Sequence, residues 1–107
     1  MREYQRKQVK RREYKEMYSG AAKYYTDTSI PEGKLLLVTG DLIFDGHIPG
    51  EDLYYFQIRF KNIVKLESIF ENGMQYLLVQ THEKMHKFAV QNADEWINRI
   101  NSAIENE

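Results

Sequence analysis

The chain has no cysteine, which excludes disulfides and thiolate metal sites and points to a reducing compartment. No stretch approaches the roughly 18 consecutive apolar residues that a membrane span requires. The first residues, Met1 to Arg6, carry no apolar signal-peptide segment. The expectation is therefore a cytoplasmic protein, with a position on a membrane surface left open. Neither an internal repeat nor a low-complexity tract is present. Nucleophilic catalysis finds no support either: the four serines sit in no recognisable elbow, and no glycine-rich phosphate loop follows a strand. What remains is one domain's worth of chain, 107 residues with 42% apolar content, enough to build a single core.

A net charge of −1 hides an asymmetry. Residues 1–18 carry a net +4, and residues 19–107 a net −5. A basic arm on an acidic body reads as an interaction element, or as a linker within a longer protein. Residues 2–18 are good helix formers without Gly or Pro, and Tyr14, Met17 and Tyr18 share one helical face. The arm is expected to be a helix whose last turn docks on a domain spanning 19–107.

The body alternates in β fashion. Gly20–Thr26 reads as a strand and 27–33 as a loop. Gly33–Phe44 then reads as two strands joined by the Thr39-Gly40-Asp41 turn. A loop covers 45–52. In Leu53–Phe60, Tyr54, Phe56, Ile58 and Phe60 face one side, and Tyr55, Gln57 and Arg59 the other. Val64 and Leu66 share a face in the next strand, Glu71-Asn72-Gly73 is a hairpin turn, and Met74–Thr81 and His86–Val90 are strands. From Asn92 the period becomes 3.6, with Ala93, Trp96, Ile97, Ile100, Ala103 and Ile104 in one stripe and Asn92 as the expected N-cap.

About seven antiparallel strands closed by one C-terminal helix give a mainly β chain that resembles the PH-like superfold, especially its GRAM and GLUE branches. Gly33-Lys-Leu-Leu-Leu-Val-Thr39 followed by Leu42-Ile-Phe44 resembles the family's glycine-led strand, threonine turn and Leu-Ile-aromatic strand. Lys87-Phe-Ala-Val90 and Asp94-Glu-Trp-Ile-Asn-Arg-Ile100 resemble its last strand and capping helix. Asp41 departs from the pattern, because many GRAM domains carry a basic residue there. The resemblance implies a partly open barrel plugged by the helix, with Trp96 as a core anchor. It also implies non-catalytic recognition of phosphoinositides, of proteins, or of ubiquitin together with lipid.

The residues weigh these ligands differently. Asp27 and Glu32 in the first loop, and Asp45, Glu51 and Asp52 in the second, repel a phosphate. Lipid contact falls instead to the arm, through Arg6, Lys7, Lys10, Arg11 and Arg12, at about 1 kcal/mol per cation near an anionic leaflet. Nucleic acid is disfavoured by the acidic body. For a protein partner, the outward set of the best-alternating strand, Tyr55, Gln57 and Arg59, offers anchor residue types. These readings make the chain a non-enzymatic adaptor that localises its parent protein, without a cofactor.

One motif argues the other way. His82-Glu83-Lys84-Met85-His86 matches H-E-x-x-H, which on a helix presents two histidines to zinc and a glutamate as general base. This is the alternative reading, a small zinc metallopeptidase. It requires 82–86 to be helical and a third ligand. Lys84 and Lys87 put positive charge at the site, and a hairpin turn at 81–84 is the simpler local structure.

Overall fold

A computed structural model describes residues 15–50 and 53–107. Seven strands run in the order β1 (Glu16–Tyr24), β2 (Glu32–Val38), β3 (Asp41–His47), β4 (Leu53–Arg59), β5 (Ile63–Glu71), β6 (Met74–Thr81) and β7 (Met85–Val90). A 3-10 turn at Phe60–Asn62 links β4 to β5, and one helix, α1 (Ala93–Glu105), follows β7. All pairings are antiparallel, in the spatial order β4-β3-β2-β1-β7-β6-β5.

The alternation read from the sequence places the core. Leu35, Leu37, Leu42, Phe44, Ile58, Leu77, Val79, Phe88, Trp96 and Ile100 belong to one buried cluster, with Tyr54 and Phe56 packed against it. Strands from both ends of the sheet order reach this cluster. The Phe56 and His86 rings lie 5.5 Å apart although three strands separate β4 from β7. Only a sheet rolled around its own inner face allows that, so the architecture is an incompletely closed barrel whose edges are β4 and β5. Where β2 and β3 cross, Gly33 faces Gly46. A Cβ on Gly33 would clash with the Asp45 carbonyl oxygen, so the close approach of the two strands depends on that missing side chain.

Both short turns fall where the sequence places them. Gly40 adopts φ +84° between β2 and β3, and Asn72 and Gly73 both take positive φ between β5 and β6, as a two-residue hairpin turn demands. α1 presents its predicted stripe: Ala93, Trp96 and Ile100 are buried, with Ile97, Ala103 and Ile104 packed against the core. Trp96 lies over Gly20, whose absent side chain leaves room for the indole, and meets the Tyr18 ring edge-on at 4.6 Å.

Four expectations are corrected. β1 begins at Glu16, so residues 16–18 of the expected helical arm are extended and pair with β2; Tyr18 packs on Trp96 from a strand, not from a helix. The rest of the arm, including Arg6, Lys7, Lys10, Arg11 and Arg12, lies outside the described residues. β3 continues to His47, three residues into the expected loop, because Glu32 and His47 still pair across the ladder. A bulge between Ile63 and Lys65 turns Val64 outward, 56% exposed, while Ile63 and Leu66 face the core. Finally, Asn92 sits in the left-handed region (φ 57°) and makes no side-chain cap. The first turn is capped from a distance instead: the Ala93 N–H donates to Gln75 Oε1 at 2.8 Å.

Candidate binding groove

β4 is an edge strand, and its inward residues do not all reach the deepest part of the core. Tyr54 and Phe56 are half-buried and stand on the rim of the barrel's open side. Across the opening, β7 contributes His86, and β1 contributes the buried Tyr24. Tyr24 is the hub, with ring centroids 4.7 Å from Phe56, 5.1 Å from Phe88, 5.7 Å from Phe44 and 5.8 Å from Tyr54. His86 stacks on Phe56 at an interplanar angle of 21°. Together they line a groove of about 530 Å³, rimmed by Asn62, Thr81, His82, Glu83 and Lys84. That volume matches pockets that take a small ligand or a partner side chain.

The electrostatics of the floor follow from burial. The Tyr24 hydroxyl and His86 Nδ1 are 2.7 Å apart. Burial, helped by the nearby Lys84 charge, lowers the His86 pKa to about 4. Burial also raises the Tyr24 pKa above 10. Both partners are neutral at pH 7, so the floor is aromatic, uncharged and internally hydrogen-bonded. The Lys84 ammonium sits 6.0 Å from the Tyr24 ring centroid and supplies a cation at the groove's lip.

The rim is fixed by one threonine. Thr81 Oγ1 accepts the N–H groups of Glu83 and Lys84, each at 3.2 Å, and the Thr81 N–H donates to the Lys84 carbonyl at 2.8 Å. Such a turn competes directly with helix. It therefore decides the H-E-x-x-H motif: His82, Glu83 and Lys84 form the β6–β7 turn, and His86 lies in β7 with its ring turned into the groove. The two histidines share no helix face, and no three His, Cys, Asp or Glu among the described residues are placed to hold a metal. Nothing in the geometry supports the metallopeptidase.

Tyr55, Gln57 and Arg59, the anchors read from the sequence, alternate with Tyr54, Phe56 and Ile58 along β4, and Tyr55 and Gln57 also border the groove. They stand opposite Asp45, Ile43 and Asp41 of β3. Arg59 is exposed, whereas Tyr55 and Gln57 are half-buried. The groove itself escaped the sequence reading. Tyr24 reads as an ordinary strand residue, and His86 as a strand residue or a zinc ligand, because their meeting with β4 depends on how the sheet rolls.

No protein-family model matches the chain, and neither does any curated protein. Solved structures do. The C-terminal domain of an unknown protein from Leishmania infantum superposes with a TM-score of 0.70 at 16% identity, covering 94% of this chain and 93% of that one. The linker-DH/PH domains of p115-RhoGEF match with a TM-score of 0.55 at 15% identity, over 88% of this chain and 30% of that one. These likenesses concern the fold, and with the seven-stranded antiparallel sheet and C-terminal helix they fit a PH-like architecture.

Proposed function

We propose that the chain is a non-catalytic PH-like recognition module that localises its parent protein by holding a protein partner. The partner is an extended segment that runs beside edge strand β4 and seats an apolar or aromatic side chain in the groove. The observation that carries this reading is the cup of Tyr24, Tyr54, Phe56 and His86 beside β4, which ends the strand order among the described residues. Main-chain pairing to the edge supplies affinity without sequence preference, and the cup supplies selectivity. The neutral floor favours an uncharged anchor, and Lys84 at the lip favours a carboxylate beside it. Anionic lipid is the second ligand in this reading, contacted by the basic arm and independent of the groove. No helix among the described residues is long and apolar enough to cross a membrane.

Peptides selected from a random display library on the full chain test the reading. In ¹⁵N-HSQC titrations the selected peptides should shift Tyr54, Phe56, Ile58 and His86. Phe56→Ala should weaken them at least tenfold while the circular dichroism spectrum stays the same. Shifts confined to β5 and β6, or an unchanged Kd for Phe56→Ala, would refute it.

A further inference from the structure

β5 ends the strand order opposite β4, and among the described residues it pairs with β6 and with no other strand. Its side chains are open to solvent. Phe70 is 70% exposed, and the Lys65 and Glu67 side chains are 66% and 47% exposed. Proteins blunt a bare edge with a bulge, a proline or an inward-pointing charge. β5 has such a device at its start alone, the bulge at Val64. From Leu66 to Glu71 there is no proline, and the residues that share the face towards α1 are Leu66, Ser68 and Phe70, all uncharged.

The hairpin decides which backbone groups are free. Asn72 and Gly73 form a two-residue turn, so Glu71 and Met74 close it as a hydrogen-bonded pair. Bonding alternates from there: Glu71, Ile69 and Glu67 bond to β6, whereas Phe70, Ser68 and Leu66 turn their N–H and C=O groups to the edge.

We infer that this edge pairs with β5 of a second copy, antiparallel, about a two-fold axis through Ser68. Outward groups recur at every second residue, so the axis must pass through a residue and not between two. Charge and length select which one. With the axis through Glu67, that residue faces its own copy; through Ile69, Glu67 faces Glu71. Like charges directly opposite are destabilising. Through Leu66, the Val64 bulge enters the ladder and Phe70 faces Asn62, beyond the end of the strand. Through Ser68, the run 65–71 pairs throughout. Lys65 meets Glu71, Leu66 meets Phe70 and Glu67 meets Ile69, each twice by symmetry.

Lys65 and Glu71 then occupy non-hydrogen-bonded positions, where facing Cα atoms are about 4.5 Å apart and side chains come closest. Their contacts within the chain, Lys65 to Glu67 at 3.9 Å and Glu71 to Lys87 at 3.7 Å, are exposed and easily exchanged. Phe70 of one copy covers Leu66 of the other. At the axis the Ser68 hydroxyl already donates to Asp94 of its own chain at 2.6 Å. Two Asp94 carboxylates flank the axis, and so short a ladder buries less than the roughly 1,200 Å² of stable interfaces. The dimer is therefore weak and forms as concentration rises.

Ser68 lies about 20 Å along an extended strand from Asn62 on the groove's rim, so pairing leaves both grooves open. A partner carrying two matching segments would gain affinity by engaging both. The inference itself stands on the β5 edge, apart from the groove.

Sedimentation velocity of the full chain, up to the concentration of an NMR sample, should show a reversible monomer–dimer equilibrium. The amides of Leu66, Ser68 and Phe70 should shift with concentration in ¹⁵N-HSQC spectra. Lys65→Glu and, separately, Glu71→Lys should each weaken dimerisation at least tenfold, because each sets like charges opposite each other. An equimolar mixture of the two variants should dimerise as the wild type does, since opposite charges then face each other again at both pairs. Mixing would not repair a folding defect. A chain that stays monomeric throughout, concentration-dependent shifts on β4 in place of β5, or a mixture no better than either variant alone overturns the inference.

Discussion

His86 makes the stability of this domain depend on pH in a way that can be worked out in advance. In the unfolded chain a histidine titrates near 6.5; in the fold, burial against Phe56 and Tyr24, with Lys84 nearby, lowers this to about 4. Between these values the unfolded chain takes up a proton that the native state refuses. The contribution of His86 is therefore fully present above pH 6.5 and is lost as pH falls from 6.5 towards 4. At 1.36 kcal/mol per pH unit the full effect is about 3 kcal/mol, of which about 2 kcal/mol separates pH 7 from pH 5. Partial solvent access at the groove reduces that to about 1–2 kcal/mol. Urea unfolding of the wild type and of His86→Phe at both pH values isolates it. Other groups titrate in both proteins, so only the difference between them matters. The stability of His86→Phe relative to wild type should rise by about 1–2 kcal/mol on going from pH 7 to pH 5. A difference that stays constant with pH would refute the argument that the imidazole is held neutral by its burial. Lys84→Ala, which removes the nearby charge but not the burial, should shrink the effect without abolishing it, and NMR titration of the His86 ring should show its pKa moving up.

Gln75→Ala removes the side chain that accepts from the buried Ala93 N–H at the start of α1, so chemical denaturation should show a loss of about 1–2 kcal/mol. Gln75→Glu, which keeps the acceptor, should recover most of it. Gly33→Ala places a methyl group into the Asp45 carbonyl and should cost about 1–3 kcal/mol by forcing β2 from β3; an unchanged melting temperature would mean that the strands yield freely. Trp96→Ala empties the space between α1 and Gly20 and should cost about 3–5 kcal/mol, whereas Trp96→Phe should lose less than half as much.

Local chemistry fixed the strands, the turns and the helix stripe. Gly40 and Asn72-Gly73 adopt positive φ because only such residues do so cheaply. The stripe from Ala93 to Ile104 follows from helical period alone, and so does the alternation of Tyr54, Phe56 and Ile58. Each of these is a property of neighbours in sequence, which is why all were legible there. Where local signals competed, the outcome depended on residues far away. Tyr18 carries a helical pattern with Tyr14 and Met17, but Trp96, Arg99 and the β2 ladder hold it in a strand. Asn92 looks like a cap, but Gln75 on β6 already satisfies the N–H, which leaves Asn92 free to make the sharp left-handed turn from β7.

The candidate site belongs wholly to that second class. Tyr24, Phe56 and His86 come from three strands that span 62 residues of sequence between Tyr24 and His86. Nothing in their spacing announces a groove. The sequence by itself determined what kind of faces these strands would have, because alternation is set by the two-residue period of the extended chain. Only the rolling of the sheet decided which faces would meet. It set β4 opposite β7 across an open edge, made an imidazole neutral by packing it on a ring, and turned a pattern that reads as a zinc motif into the lip of a groove. Pairing and packing are long-range free energies, summed over contacts that no local window contains.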